Sequence, residues 1–316
     1  MDIGVLPDVV PFRNCYDLAH PESKGVKRRR NIQKGLGVAI PEPFDPQPFR
    51  DFEQAGWNAT AHKYDQHFGT ITPEFRAALL DAAGVKEGLR MLDIATGPGY
   101  VAGAAAARGA DAIGVDFAPN MVAEARKRHP QATFQEGDAE DLPFPDETFD
   151  AVVSSFGMLH VSRPEVVLME VKRVLRPGGR FAFTVWGKPS ETAIAAGILL
   201  RAIETHGTTD VGLPPGPPMS RFSDHDEARK TLLGAGFVDP QVTDLPCLWN
   251  LASPDALIQT FAEAGVRVGE LLRLQTPEAI EAIKTFVHHE VSLYEQEGVF
   301  RVPMGAVLAS AVKRSA

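Results

Sequence analysis

Asp93 stands inside an apolar run, Leu92-Asp93-Ile94-Ala95, that passes directly into Thr96-Gly97-Pro98-Gly99. The order is a strand bearing an acid, a loop with two glycines and the start of a helix. Glycines in such a loop let a ligand approach the backbone closely, and the helix start offers free N–H donors. Asp116 ends the next apolar run, Asp111-Ala112-Ile113-Gly114-Val115-Asp116. An acid at that place can accept hydrogen bonds from a ribose. A third acid follows in Gly137-Asp138-Ala139-Glu140-Asp141-Leu142-Pro143-Phe144. Its carboxylate can accept from an exocyclic adenine amine, while the Ala139 N–H can donate to a ring nitrogen. Gly97, Gly99 and Asp116 outline a nucleoside pocket without saying which nucleoside it takes.

The same residues fit a second ligand. Gly97-Pro98-Gly99-Tyr100-Val101-Ala102 matches the G-x-G-x-x-A dinucleotide pattern, and Asp116 lies 17 residues after Gly99. A nicotinamide-dependent oxidoreductase is therefore the alternative reading. Two features weigh against it. Asp93 occupies a strand position that is normally apolar in dinucleotide sites; it suits a ligand amine and would repel a pyrophosphate. Asp138 adds another carboxylate at the edge of the sheet where such folds bind ligands.

The elements that must position these residues alternate. Strands are expected at Arg90–Ala95, Asp111–Asp116, Thr133–Glu136, Phe149–Ser155 and Arg180–Trp186. Helices are expected between them at Tyr100–Arg108, Asn120–Arg128 and Pro164–Leu175. Alternation at this spacing predicts a doubly wound, mostly parallel α/β sheet. Before it, Trp57, Ala61, Tyr64 and Phe68 recur at helical spacing, and a second helix starts at Thr72-Pro73. After it, helices are expected at Glu191–His206 and Asp224–Leu233, and strands at Val238–Leu245 and Val302–Val312. Helical stretches at Pro254–Leu274, interrupted by Gly265 and Gly269, and at Pro277–Glu297 fall between these two late strands. Three units follow: residues 1–48 as a partly disordered N-terminal extension, 49–250 with 300–316 as the binding domain, and 251–299 as an inserted helical lid.

The blocks Leu92–Gly99, Gly114–Met121, Gly137–Phe144, Phe149–Val153 and Leu175–Gly179 come in one order over about residues 50–245. In that order they resemble class I S-adenosylmethionine-dependent methyltransferases of the small-molecule branch, which includes the ubiquinone and menaquinone biosynthesis enzymes (methyltransferase type 11). The resemblance implies a Rossmann-like fold with a helical lid before the last strand. It implies S-adenosyl-L-methionine as cofactor and S-adenosyl-L-homocysteine as product. By the same resemblance, Asp93, Ala95 and Gly97 line the methionine end and Gly99 shapes the loop. Asp116 holds the ribose hydroxyls, Phe117 and Met121 flank the adenine, and Asp138 and Ala139 read its edge. Ser155 offers backbone near the methionine, and Tyr64 matches an aromatic that reaches toward the cofactor. Ala95-Thr96 departs from the small residues many relatives carry and leaves the cofactor assignment intact. The resemblance does not identify the acceptor, whose methylated atom is O, N or C. A cofactor-binding protein that performs no methylation would carry the same pocket.

A methyl transfer needs a base only when the nucleophile must lose a proton. His160, beyond the end of the fourth strand, is the catalytic candidate, because histidine ordinarily titrates near ~6.5. His288-His289-Glu290 lacks the spacing of a zinc protease site, and no bound metal is expected. In the lid, Leu257, Phe261, Val268, Leu271, Leu272, Ile280, Ile283, Phe286 and Val287 are expected mostly in the core, with a few facing the acceptor. Trp57, Phe156, Trp186 and Trp249 are candidates for the pocket wall. Such apolar surroundings suit a small, partly apolar acceptor.

The bulk properties agree. The chain has 316 residues, is 44% hydrophobic and 23% charged, and carries a formal net charge of −9. General nucleic-acid binding is disfavoured by this acidic balance, although Lys27-Arg28-Arg29-Arg30, with Lys24 and Lys34, forms a local basic cluster. Cys15 and Cys247 cannot build a disulfide scaffold, so a cytoplasmic setting is expected. No stretch suits membrane insertion. The expected partner is a small-molecule acceptor, and pairing into a homodimer is left open.

Overall fold

The computed structural model describes residues 45–315. Cys15, the basic cluster at Lys27–Arg30 and the expected extension up to residue 44 lie outside the described residues. Helix α1 (Gln47–Thr60) begins two residues inside the expected extension, with Pro48 in the first turn, where a missing N–H is tolerated. It stops at Thr60 and does not run on to Phe68. Tyr64–Gln66, Phe68–Thr70 and Thr72–Phe75 form three successive 3-10 turns before α2 (Arg76–Ala82). Gly69, Thr70 and Thr72 are weak helix formers, and Pro73 removes a backbone donor and disfavours helical geometry at Thr72.

The central alternation follows: β1 (Arg90–Ile94), α3 (Tyr100–Ala107), β2 (Asp111–Asp116), α4 (Pro119–Arg128), β3 (Thr133–Glu136), β4 (Phe149–Ser155), α5 (Pro164–Val174) and β5 (Leu175–Trp186). Then come α6 (Ile194–His206), α7 (His225–Gly234), β6 (Phe237–Leu245) and β7 (Leu248–Leu251). Asp224 caps α7 by accepting from the Asp226 and Glu227 N–H groups. The expected helical insertion divides into α8 (Pro254–Ala264), α9 (Arg267–Arg273) and α10 (Pro277–Ser292), with Gly265 at the first break. The chain closes with β8 (Glu295–Gln296), β9 (Val299–Pro303) and β10 (Ala306–Lys313). The expected last strand thus splits. Val302 pairs with Trp249 in a small β7-β9-β8 sheet, and only Ala306–Lys313 enters the main sheet. Pro303 ends the first part, and Met304–Gly305 turns the chain.

The main sheet runs β3-β2-β1-β4-β5-β10-β6. β3, β2, β1, β4 and β5 are mutually parallel, and β10 is antiparallel to both neighbours. Period-2 alternation separates two cores. Leu92, Ile94, Val152, Phe181 and Phe183 face one layer, which includes α5, α6 and the lid-region residues Leu257, Ile283 and Val287. Met91, Ala112, Val153 and Ala182 face the other, with α2, α3 and α4. From β1 the chain winds outward through β2 and β3, then returns to β4 on the other side of β1. That reversal opens a crevice at the carboxyl ends of β1 and β4, the place where open α/β sheets bind ligands.

Candidate active site

One cleft opens there, bounded by the loops after β1 (Ala95–Pro98), β2 (Asp116, Phe117), β3 (Gly137–Glu140) and β4 (Ser155–Ser162). Trp186 at the end of β5, α1, the 3-10 turns and Phe261 to Val268 complete it. Both Ala95 (φ 51°) and Phe156 (φ 57°) hold left-handed backbone conformations although neither is glycine. Strain of this kind concentrates at ligand sites.

The acid end is built from β1 and β2. Asp116 is 5% exposed, and its Oδ2 accepts from the Gly97 N–H at 2.8 Å and its Oδ1 from the Ala118 N–H at 2.9 Å. Burial pushes its pKa up to about 6, against the backbone donors and His160, which favour the ionised form. Each oxygen keeps a lone pair for a ligand hydroxyl. A Cβ built on Gly97 meets nothing within 4 Å, so the space above this residue is open to a ligand. Gly99 (φ 84°) has a different constraint: its Cβ would sit 2.7 Å from Phe134. Asp93 follows the β alternation under α3 and does not border the cleft. Its Oδ2 accepts from Thr96 Oγ1 at 2.6 Å and from the Ala102 N–H at 3.2 Å. Oδ1 is buried without a partner, and burial raises the pKa to about 7. This side chain anchors the first turn of α3 from beneath the cleft.

After β3, Asp138 Oδ1 accepts from the Glu140 N–H at 2.8 Å, and its Oδ2 accepts from the Arg50 guanidinium. Glu140 Oε2 receives Arg50 Nη1 at 3.1 Å and Arg163 Nε at 2.7 Å. Its Oε1 receives Ser162 Oγ at 2.6 Å and the Arg163 N–H at 2.8 Å. Arg50 and Glu140 thereby tie α1, the β3 loop and the start of α5 together.

His160 borders the same cleft. Its Nδ1 is 3.0 Å from Glu53 Oε2, which also accepts from Trp57 Nε1 at 3.0 Å. Glu53 is 0% exposed and its Oε1 has no partner. An ionised carboxylate only accepts, so a neutral imidazole paired with it would carry its hydrogen on Nδ1 and keep its lone pair on Nε2. The imidazole packs edge-on against Trp57, with ring centroids 4.8 Å apart. Phe156 stacks on Trp186 at 4.0 Å, and Phe68 meets Phe261 edge-on at 5.2 Å, giving the cleft an aromatic wall. Tyr64 is half-buried in that wall, with a pKa pushed up to about 12 by desolvation.

A methyltransferase domain family matches residues 92–183, the stretch from β1 to β5 that carries the acids and His160. This stretch is thus similar to a methyltransferase domain. Curated relatives match around it. The demethylmenaquinone methyltransferase of Beutenbergia cavernae is 44% identical over 115 residues, 36% of this chain and 48% of that protein. That of Renibacterium salmoninarum is 38% identical over 151 residues, 46% of this chain and 63% of that protein. The chain thus spans about half the length of the curated relatives it matches. Among solved structures, the YcgJ protein of Bacillus subtilis superposes with a TM-score of 0.50 at 23% identity, covering 77% of this chain and 99% of that one. Phosphoethanolamine N-methyltransferase 2 of Haemonchus contortus gives 0.52 at 19% identity, covering 84% and 60%. These likenesses concern the fold, and they agree with the doubly wound sheet.

In this stretch and the helices over it, ten of the expected site residues border one cleft: Tyr64, Ala95, Gly97, Asp116, Phe117, Met121, Asp138, Ala139, Ser155 and His160. Asp93 and Gly99 lie beneath it. Of the aromatic candidates, Trp57, Phe156 and Trp186 line it, whereas Trp249 is buried and donates to Thr70 Oγ1 at 3.1 Å. Phe261 and Val268 reach it; Leu257, Leu271, Leu272, Ile283 and Val287 are core. His288 does not reach it and pairs with Asp255 at 2.8 Å. Among the described residues, no group of three or more His, Cys, Asp or Glu side chains converges as a metal ion would require, and no helix is long and apolar enough to cross a membrane. Sequence reasoning missed Glu53, Arg50 and Arg267. Glu53 had a signal: it stands in register with Phe49 and Trp57, on the buried face of α1.

Proposed function

We propose that this chain transfers the methyl group of S-adenosylmethionine to a small organic acceptor held against the aromatic wall. The observation that carries the reading is one cleft bordered by both the Asp116–Gly97 cradle and His160, which the buried Glu53 holds from behind. The residues fit the cofactor: the open space over Gly97 would admit it, Asp116 would accept from ribose hydroxyls, and Asp138 with the Ala139 N–H would hold the adenine. When bound, S-adenosylmethionine supplies an electrophilic methyl group. The chain's own residues do the rest. The aromatic wall orients the acceptor and excludes water, which brings nucleophile and methyl to near-attack distance. Where the nucleophile is a hydroxyl or an acidic carbon, His160 Nε2 takes its proton, and Glu53 stabilises the imidazolium that forms. The relatives named for demethylmenaquinone favour a ring-bearing acceptor. A cytoplasmic setting belongs to the same proposal.

Calorimetric titration with S-adenosylmethionine, S-adenosylhomocysteine and NAD tests it. Micromolar binding of both adenosyl ligands without NAD is expected. Binding of NAD alone would make Gly97–Ala102 a dinucleotide loop and replace the reading.

A further inference from the structure

Arg267, the first residue of α9, is 8% exposed and borders the cleft. Its Nη1 donates to the Pro214 carbonyl at 2.9 Å, and its guanidinium carbon lies 5.4 Å from the Phe49 ring centroid and 5.8 Å from that of Phe52. No carboxylate among the described residues pairs with it. The other charged groups of the cleft are neutralised or hydrogen-bonded: Arg50 by Asp138 and Glu140, Glu140 also by Arg163, and Asp116 by backbone N–H groups. Nε and Nη2 of Arg267 have no acceptor among the described residues, and neither is sealed off from solvent-sized space. Two phenyl faces and one carbonyl offset part of the cost of burying this cation. What remains unmatched is a planar pair of N–H donors, the geometry that binds a carboxylate through two parallel bonds.

Helix α1 relates this cation to the base. Arg267 rests on Phe49 and Phe52, while His160 contacts Glu53 and Trp57 about one turn, ~5.4 Å, further along. A ligand spanning the two would carry an anion at one end, a proton to lose at the other and about one aromatic ring between. The stacked Phe156 and Trp186 suit such a ring.

We propose that Arg267 anchors a carboxylate of the methyl acceptor, so that the acceptor class is a hydroxylated aromatic acid. The inference rests on the reading of this cleft as a methyl-transfer site. It is tested on the full chain saturated with S-adenosylhomocysteine, titrated with 4-hydroxybenzoate, 4-hydroxycinnamate and their methyl esters. Each acid should bind at least tenfold more tightly than its ester. Arg267→Met should abolish that ratio, and Arg267→Lys should keep part of it, with the S-adenosylhomocysteine affinity of both variants within twofold of wild type. Acids and esters that bind alike to wild type would overturn the proposal, as would a preference that survives in Arg267→Met. A loss of S-adenosylhomocysteine affinity in folded Arg267→Met, with the acid–ester ratio intact, would assign the guanidinium to the cofactor instead. If S-adenosylhomocysteine fails to bind wild type, the cofactor reading falls, and the acid–ester comparison on the free protein still decides the role of Arg267.

Discussion

At the residue scale, the pairing of Glu53 with His160 makes two separable predictions. His160→Ala should lower kcat by roughly 10²–10⁴-fold for an acceptor that must lose a proton, while S-adenosylhomocysteine affinity stays within twofold. Glu53→Gln removes the charge that stabilises the imidazolium, so kcat should fall for the same acceptor while S-adenosylhomocysteine affinity stays within twofold. An unchanged kcat would reduce Glu53 to packing. Asp93 gives a prediction of stability. Its pKa is raised by burial to about 7, against ~3.9 in an unfolded chain. Between those values the folded chain keeps a proton the unfolded chain has lost, so stability falls as pH rises through the window. Asp93→Asn abolishes that loss, and its melting temperature relative to wild type should rise between pH 5 and pH 8. Thermal melts at the two pH values check the sign. The acids at the strand ends were legible because they interrupt apolar runs. Glu53 shared the register of Phe49 and Trp57, but that register signals burial alone, and its role emerges only when its partner 107 residues away is placed.

At the element scale, the turn between β1 and α3 carries both the ligand loop and a packing constraint. Gly99 starts α3 at φ 84°, with Phe134 of β3 and Ala125 of α4 against the position of its absent Cβ. Gly99→Ala adds a left-handed alanine and a clash with ring and methyl carbons. A loss of about 1–3 kcal/mol is expected, read by denaturant melts. An unchanged midpoint would mean that the turn relaxes freely. The βα alternation was readable from sequence because period-2 strands and 3.6-period helices are local patterns bounded by glycine and proline. The stretch after α1 was not. Trp57, Ala61, Tyr64 and Phe68 have helical spacing, yet Tyr64 and Phe68 sit on 3-10 turns that steer both rings toward the cleft. The last strand was misjudged for a similar reason. Val302 and Val307 are both buried and apolar, and only the turn at Met304–Gly305 assigns them to different sheets.

At the scale of the whole molecule, the cleft has a fixed floor and a roof made of separate pieces. The floor is the carboxyl edge of five parallel strands. The roof is α1 with the 3-10 turns on one side and α8 with α9 on the other. The two sides meet through the buried contacts of Phe68 with Phe261 and of Arg267 with Phe49 and Phe52, and through links nearer the surface. Gly56 of α1 abuts Val266, Lys63 pairs with Glu263 at 3.1 Å, and His67 Nδ1 lies 3.3 Å from Thr260 Oγ1. Lys63 and Glu263 are both substantially exposed, and such pairs contribute little on their own. By contrast, β10 lies between β5 and β6 with ladders along its length. Local opening is easiest where exposed polar links replace ladders and dense packing. A ligand that touches both sides of the roof should therefore stabilise that region selectively. Hydrogen exchange with saturating S-adenosylhomocysteine should slow amides in residues 47–75 and 254–273, while those of β10 stay unchanged. Slowing confined to the loops after β1, β2 and β3 would mean that the floor alone binds the ligand, and that α8 and α9 form part of the core with no share in closing the site.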